Sequence, residues 1–249
     1  MKVLILCAGL GSRLASLTKE KPKCLVKLNS TSILERLLNQ LAECGLQRDN
    51  VFLGCGYKSE LLPKGYKKFK NLEFRTTNMM KTTIIGIEGV MSFIEENENV
   101  LIIYGDCIYS NSFIKELILK VDKLSKITIP VDLDWETKWS ERYENIYADA
   151  ETLEYDLSSN KLLSIGKRTF LKKNYMAQFM GIYVLPYDSI SGYIASYKSL
   201  TESIKNKIST TEFFEKTKLI NNFFVMPNNY DWTEVDTLDD LLYAEKLFF

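Results

Sequence analysis

Met1-Lys-Val-Leu-Ile-Leu-Cys-Ala-Gly-Leu-Gly-Ser-Arg-Leu14, with Lys21-Pro22-Lys23-Cys24-Leu25 shortly after it, is the stretch on which the fold turns. Val3 to Leu6 is a short apolar run of strand type. Ala8-Gly9-Leu10-Gly11-Ser12 ends it with two glycines, which let backbone or ligand approach without a Cβ in the way. A strand that ends in such a loop presents free N–H groups. Together with Arg13 and Lys23 they form a concave cationic surface suited to a triphosphate. Gly-x-Gly alone would equally describe a tight strand-to-helix turn with solvated charges. The added Arg and Pro-Lys favour the phosphate reading.

Outward from this start, apolar runs alternate with helical patterns. Ser32 to Cys44 has a Ser cap, Glu35 three residues on, an apolar stripe and Gly45 as a stop, which predicts a helix. Val51 to Gly56 predicts a strand with a glycine exit, Leu72 to Arg75 a short strand, and Thr82 to Glu95 a second helix containing Gly86 and Gly89. Val100 to Tyr104 is a third strand, broken by Gly105-Asp106. Strands separated by helices imply βαβ units and a largely parallel sheet with ligands at its carboxyl ends. From about Thr128 the pattern loosens into short β-like runs, Thr128 to Val131, Leu162 to Ile165, Phe179 to Leu185 and Phe223 to Met226. No linker divides the chain. One domain over 1–249 is expected, with a βαβ core at about 1–127 and a looser part at about 128–249, which the family resemblance described below implies to be a nucleotide-binding core and an acceptor-binding, metal-closing part.

Composition narrows the chemistry. Lys plus Arg and Asp plus Glu both number 32, so no global basic field draws in nucleic acid. The N-terminal apolar run is too short for a signal peptide or membrane span, and a cytoplasmic protein is expected. The five cysteines are scattered, without a Cys-x-x-Cys pair, and there is no histidine. A zinc set, a Ser-His-Asp triad and Cys-His machinery are thereby excluded. Carboxylates, Lys, Arg and bound metal remain. Asp106 closes an apolar strand, where a carboxylate can hold Mg²⁺ against a triphosphate or simply shape a turn.

The pattern Ala8-Gly9-x-Gly11-x-Arg13-Leu14 followed by Lys21-Pro22-Lys23 resembles the signature of nucleotidyltransferases that join NTPs to sugar phosphates, phosphocholine and related phosphorylated small molecules. No Gly-Lys-Ser/Thr follows, as in a Walker A loop, and the third glycine of the dinucleotide-binding fingerprint is missing. The resemblance implies a Rossmann-like α/β fold with a mostly parallel mixed central sheet and an added acceptor-binding β/loop region. By the same resemblance the nucleotide lies over Leu6, Ala8, Gly9, Gly11 and Ser12, with its base against Gly56 and Tyr57. Arg13 and Lys23 act on its phosphates. A looser match adds Asn78 and Thr82 as polar contacts and Lys81 as a further phosphate contact, although Thr82 and Thr83 serve equally as helix caps. Trp232 to Leu241 resembles the late metal motif of the family. This implies that Asp106 and Asp236 share Mg²⁺, with Glu234 behind them, although Asp236 and Asp239 also suit a helix N-terminus in their own right.

On the acceptor side, Asp134 to Asn145, Asp149-Ala-Glu151-Thr, Ile165-Gly-Lys167-Arg168 and Ala177-Gln178-Phe-Met-Gly181 resemble a subgroup of cytidylyltransferases from surface-polysaccharide pathways. That implies CTP as nucleotide and a small phosphorylated acceptor, phosphoglutamine first, bound by Trp135, Arg142, Lys167, Arg168 and Gln178. Trp135, Trp139 and Arg142 share one face at helical spacing, which a packing stripe would also explain. Arg142, Lys167 and Arg168 suggest an acceptor that is anionic beyond its phosphate. Phosphocholine in an aromatic box, a sugar 1-phosphate, and a catalytically silent nucleotide-sensing subunit are the competing readings. A monomer or homodimer is expected.

Overall fold

The computed structural model describes residues 1–168 and 171–249. Its centre is an eight-stranded mixed sheet in the order Gln178–Phe179, Thr128–Asp132, Ile182–Leu185, Val100–Tyr104, Lys2–Cys7, Val51–Cys55, Lys67–Lys70, with Phe224–Asn228 paired to Thr128–Asp132. The first strand lies between two parallel neighbours, Val51–Cys55 and Val100–Tyr104. The chain therefore leaves the sheet centre in opposite directions from Lys2–Cys7 and Val100–Tyr104. Crevices for ligands form at such a switch point, beyond the carboxyl ends of the strands.

Alternation along Lys2–Cys7 explains why both faces are covered. Val3 and Ile5 pack with Leu34, Leu37 and Leu41 of the helix Ile33–Glu43 and with Phe113 and Leu117 of Asn111–Val121. Leu4 and Leu6 pack on the other face with Met80, Ile84 and Ile87 of the helix Met79–Val90. Gly86 belongs to that contact, since a Cβ there would meet the Leu4 side chain at 2.6 Å. The capping box at Ser32 and Glu35 is present.

Several boundaries differ from expectation. Residues 72–75 form no strand, and the edge strand is the lysine-rich Lys67–Lys70. Buried Asn71 ends it, accepting from Glu73 N–H and donating to the Thr77 and Thr82 hydroxyls. The second helix starts before Thr82 and ends at Val90, followed by a short turn at Met91–Phe93. The run at 179–185 is two strands, broken at Gly181 with φ +69°. The helix carrying Trp135 and Trp139 spans Trp135–Ser140 and stops before Arg142. Among the described residues, no helix is long and apolar enough to cross a membrane.

Candidate active site

The loop after the first strand is shaped from inside. The Gly9 carbonyl accepts from Lys23 N–H, and the Gly11 carbonyl accepts from Leu14 N–H and the Thr18 hydroxyl. In a trans peptide the next N–H points opposite to the carbonyl, so the Leu10 and Ser12 N–H groups face away from these internal contacts. Gly11 sits at φ +64°, where a Cβ would also meet Thr18 Cγ2 at 2.8 Å. Leu6 and Ala8 are buried below the loop, with the Leu6 carbonyl taken by Gly105 N–H.

Lys23 stands next to this loop, on the turn Lys23–Leu25. Its buried side chain donates through Nζ to Asp106 Oδ2 at 2.6 Å and to Asp236 Oδ1. Arg13, more than half exposed, donates to Asp236 Oδ2 at 2.6 Å. The two aspartates, distant in sequence, meet through a short ladder. Asp106 precedes the strand Cys107–Tyr109, which pairs antiparallel with Trp232–Glu234, and Val235 N–H continues the ladder onto the Asp106 carbonyl. Asp236 follows, and Thr237 caps the helix Leu238–Phe248.

Electrostatics here is strongly coupled. Burial opposes the charge of Lys23, but Asp106 and Asp236 outweigh it and hold the ammonium well above its ordinary range. Glu234 is pushed up to about 8, first by burial and then by Asp236 and Asp106, against the pull of Lys23 and Arg142. The donor set at Asp106 and Asp236 is hard oxygen, with both carboxylates about a fifth exposed. That suits Mg²⁺, which one or two carboxylates hold together with substrate phosphates. Among the described residues, no group of three or more His, Cys, Asp or Glu side chains is arranged to hold a metal unaided.

The remaining nucleotide-side residues divide. Gly56 and Tyr57 lie at the carboxyl end of Val51–Cys55, with the Tyr57 hydroxyl donating to the Lys19 carbonyl at 2.5 Å. Asn78 is exposed, but its amide donates to the Lys207 carbonyl. Thr82 is buried and accepts from Asn71, so its hydroxyl faces the interior. Lys81 lies 4.0 Å from Glu73.

A cleft of about 230 Å³ opens against Asp236 and Glu234, walled by Trp139, Trp232 and Phe179 and edged by Glu151, Arg168 and Gln178. Gln178 is buried, donating to the Glu151 carbonyl at 2.7 Å and accepting from Glu151 N–H. Arg168 reaches the Ala148 carbonyl and Asp149. Burial raises the Glu151 carboxyl, although Thr211 and Arg168 pull it back.

Three of the expected acceptor residues sit away from this cleft. Trp135 is buried, packed edge-on to Trp139 and Tyr147 with its indole N–H on the Tyr175 carbonyl, and does not line this cleft. The Arg142 side chain is buried and paired with Asp240 at 2.5 Å. Lys167 lies outside the cleft wall, paired with Glu215 at 2.9 Å. The expected cationic cluster is thus reduced to Arg168. Asp149, Glu151, Glu234 and Asp236 make the lining acidic instead. Glu151 belongs to the acceptor-side motif Asp149-Ala-Glu151-Thr, whereas Asp240 is marked in the sequence only by Thr237-x-x-Asp240, the spacing of a capping box.

Residues 3–160 match the family of MobA-like NTP transferase domains. Along 97% of its length the chain is 29% identical to a CTP:phosphoglutamine cytidylyltransferase from Campylobacter jejuni, covering 98% of that protein. Solved structures share the fold, two cytidylyl-transferring enzymes among them. A CTP:phosphocholine cytidylyltransferase from Streptococcus pneumoniae superposes with TM-score 0.73 at 18% identity, covering 100% of this chain and 99% of that one. An inositol-1-phosphate CTP transferase from T. maritima superposes with TM-score 0.71 at 19% identity, covering 98% and 94%.

Proposed function

Because the chain belongs to the MobA-like NTP transferase family, we propose that it is a Mg²⁺-dependent cytidylyltransferase. It joins CTP to a small phosphorylated acceptor bearing an ammonium group, phosphoglutamine first, and releases pyrophosphate. The observation that carries this reading is the convergence of Lys23, Arg13, Asp106 and Asp236 beside a glycine loop, with the acidic cleft opening on the same Asp236. Phosphoglutamine carries both an ammonium and a carboxylate, which Glu151 and Arg168 complement. The full-length likeness to a phosphoglutamine enzyme supports the same choice.

In this reading the N–H groups of Leu10 and Ser12 bind phosphate oxygens, and Arg13 holds the phosphates that leave. Lys23 leaves the aspartates for the α-phosphate, where negative charge accumulates in transfer. Asp106 and Asp236 would hold Mg²⁺, which when bound supplies Lewis-acid stabilisation of the transferring phosphoryl group. The acceptor's phosphate oxygen is already ionised at neutral pH, so no general base is required. Catalysis then consists of in-line positioning and charge neutralisation.

Phosphocholine is the second reading, favoured by the aromatic walls Trp139, Trp232 and Phe179 around the carboxylates. A pyrophosphate-release screen of the four NTPs against phosphoglutamine, phosphocholine and sugar 1-phosphates tests both. CTP with phosphoglutamine should give the highest kcat/KM. Faster turnover of phosphocholine would select the second reading, and preference for a sugar 1-phosphate would refute the ammonium requirement.

A further inference from the structure

Among the described residues three helices begin with a capping box, and one differs from the others. At Ile33–Glu43 and Thr210–Asn221 the reciprocal acid is an exposed glutamate, Glu35 or Glu212. At Leu238–Phe248 it is Asp240, fully buried. Its Oδ2 accepts from Thr237 N–H at 2.8 Å and also from Asp236 N–H at 2.9 Å. Its Oδ1 accepts from Arg142 Nη2 at 2.5 Å and the Tyr143 hydroxyl at 2.9 Å. The Arg142 guanidinium lies over the Tyr143 and Tyr243 rings, 4.8 and 5.5 Å from their centroids.

Capping a helix does not require this arrangement, as the two exposed glutamates demonstrate. Burying an ion pair carries a desolvation cost that the attraction need not offset, so its return is sought in fixed geometry. Here the fixed element is the backbone of Asp236, whose two carboxylate oxygens meet Lys23 and Arg13. We propose that Arg142 and Asp240, assisted by Tyr143, are positioning residues that orient Asp236 for metal and nucleotide. Arg142 comes from the segment after Trp135–Ser140 whose Trp139 walls the cleft, so the same contact ties the cleft to the carboxylate pair. The inference rests on the reading of Asp236 as a metal-holding residue.

The test compares Asp240→Asn, Tyr143→Phe and Arg142→Lys with Asp236→Asn. Mn²⁺ affinity in the presence of CTP is read from the free-ion resonance, alongside kcat, the separate KM values and the thermal midpoint. Asp240→Asn should weaken Mn²⁺ binding at least tenfold and lower kcat, with the KM for phosphoglutamine within twofold of the parent. Tyr143→Phe removes one neutral donor and should weaken Mn²⁺ binding by roughly threefold. Arg142→Lys should fall between them. If Asp240→Asn does not fold, Tyr143→Phe alone decides. Normal Mn²⁺ affinity and kcat in the folded variants, with only the midpoint lowered, would overturn the proposal and leave an ordinary cap. A tenfold rise in acceptor KM with Mn²⁺ affinity unchanged would also overturn it, returning Arg142 to the acceptor site. Asp236→Asn separates the two levels. Loss of Mn²⁺ affinity there but not at Asp240 faults the positioning role alone, whereas no loss at Asp236 itself faults the metal assignment beneath it.

Discussion

Replacing Lys23 by methionine keeps the buried stem and removes only the ammonium, so the consequences can be worked from its contacts. Nζ bonds both Asp106 and Asp236 from an almost fully buried side chain, while the carboxylates are about a fifth exposed. Two charge-assisted hydrogen bonds at about 1.5–3 kcal/mol each set the upper bound of the loss. Relief of the lysine's own desolvation, and water reaching the freed carboxylates, offset much of it. A net destabilisation of about 1–3 kcal/mol corresponds to a midpoint lower by roughly 2–10 °C in a chain of this size. Catalysis should suffer more. Removing a group aimed at charge that develops in the transition state costs about 10²–10³ in kcat, while the KM for CTP should change less than threefold. Differential scanning fluorimetry and initial-rate pyrophosphate release measure the two effects separately. A variant with normal kcat and a raised KM would show instead that Lys23 binds ground state and transition state alike.

Asp106→Asn and Asp236→Asn should each lower turnover with Mg²⁺ at least a hundredfold while the far-ultraviolet spectrum is retained, since both side chains border the site. Arg168→Ala should lower kcat/KM for phosphoglutamine by about ten- to a hundredfold, the worth of one charge-assisted contact, while Lys167→Ala, outside the cleft, should stay within twofold. Glu151→Gln should raise the KM for phosphoglutamine about tenfold without changing that for CTP, as one charge-assisted contact is lost. It should also alter the pH dependence of stability. A carboxyl whose folded value is raised destabilises the fold as pH climbs from its ordinary value of 4.5 toward neutrality. Denaturant titrations across that window should therefore show a smaller decline in the variant than in the parent.

The parts legible in the sequence are those in which one short segment carries its own signal. The Gly9 to Gly11 turn, the Ser32 cap and the strand-end Asp106 each depend on neighbours within a few residues. The pairing of Asp106 with Asp236 is legible only through the late motif, because nothing in their spacing brings them together. What could not be read depends on distant partners. Arg142 has the composition of an anion clamp, and only the fold brings Asp240 to it. Thr82 reads as a polar contact until Asn71 closes over its hydroxyl. Trp135 and Trp139 have identical helical credentials, yet one is enclosed by Tyr147 and Tyr175 while the other walls the cleft.

The central claim, nucleotidyl transfer from CTP to an ammonium-bearing phosphorylated acceptor, is tested most directly by phosphorus NMR of the protein with CTP, Mg²⁺ and phosphoglutamine. The coupled doublets of a CMP-acceptor phosphoanhydride should appear together with an equal amount of pyrophosphate. Unchanged CTP, or CMP released without incorporation of the acceptor, would contradict that claim.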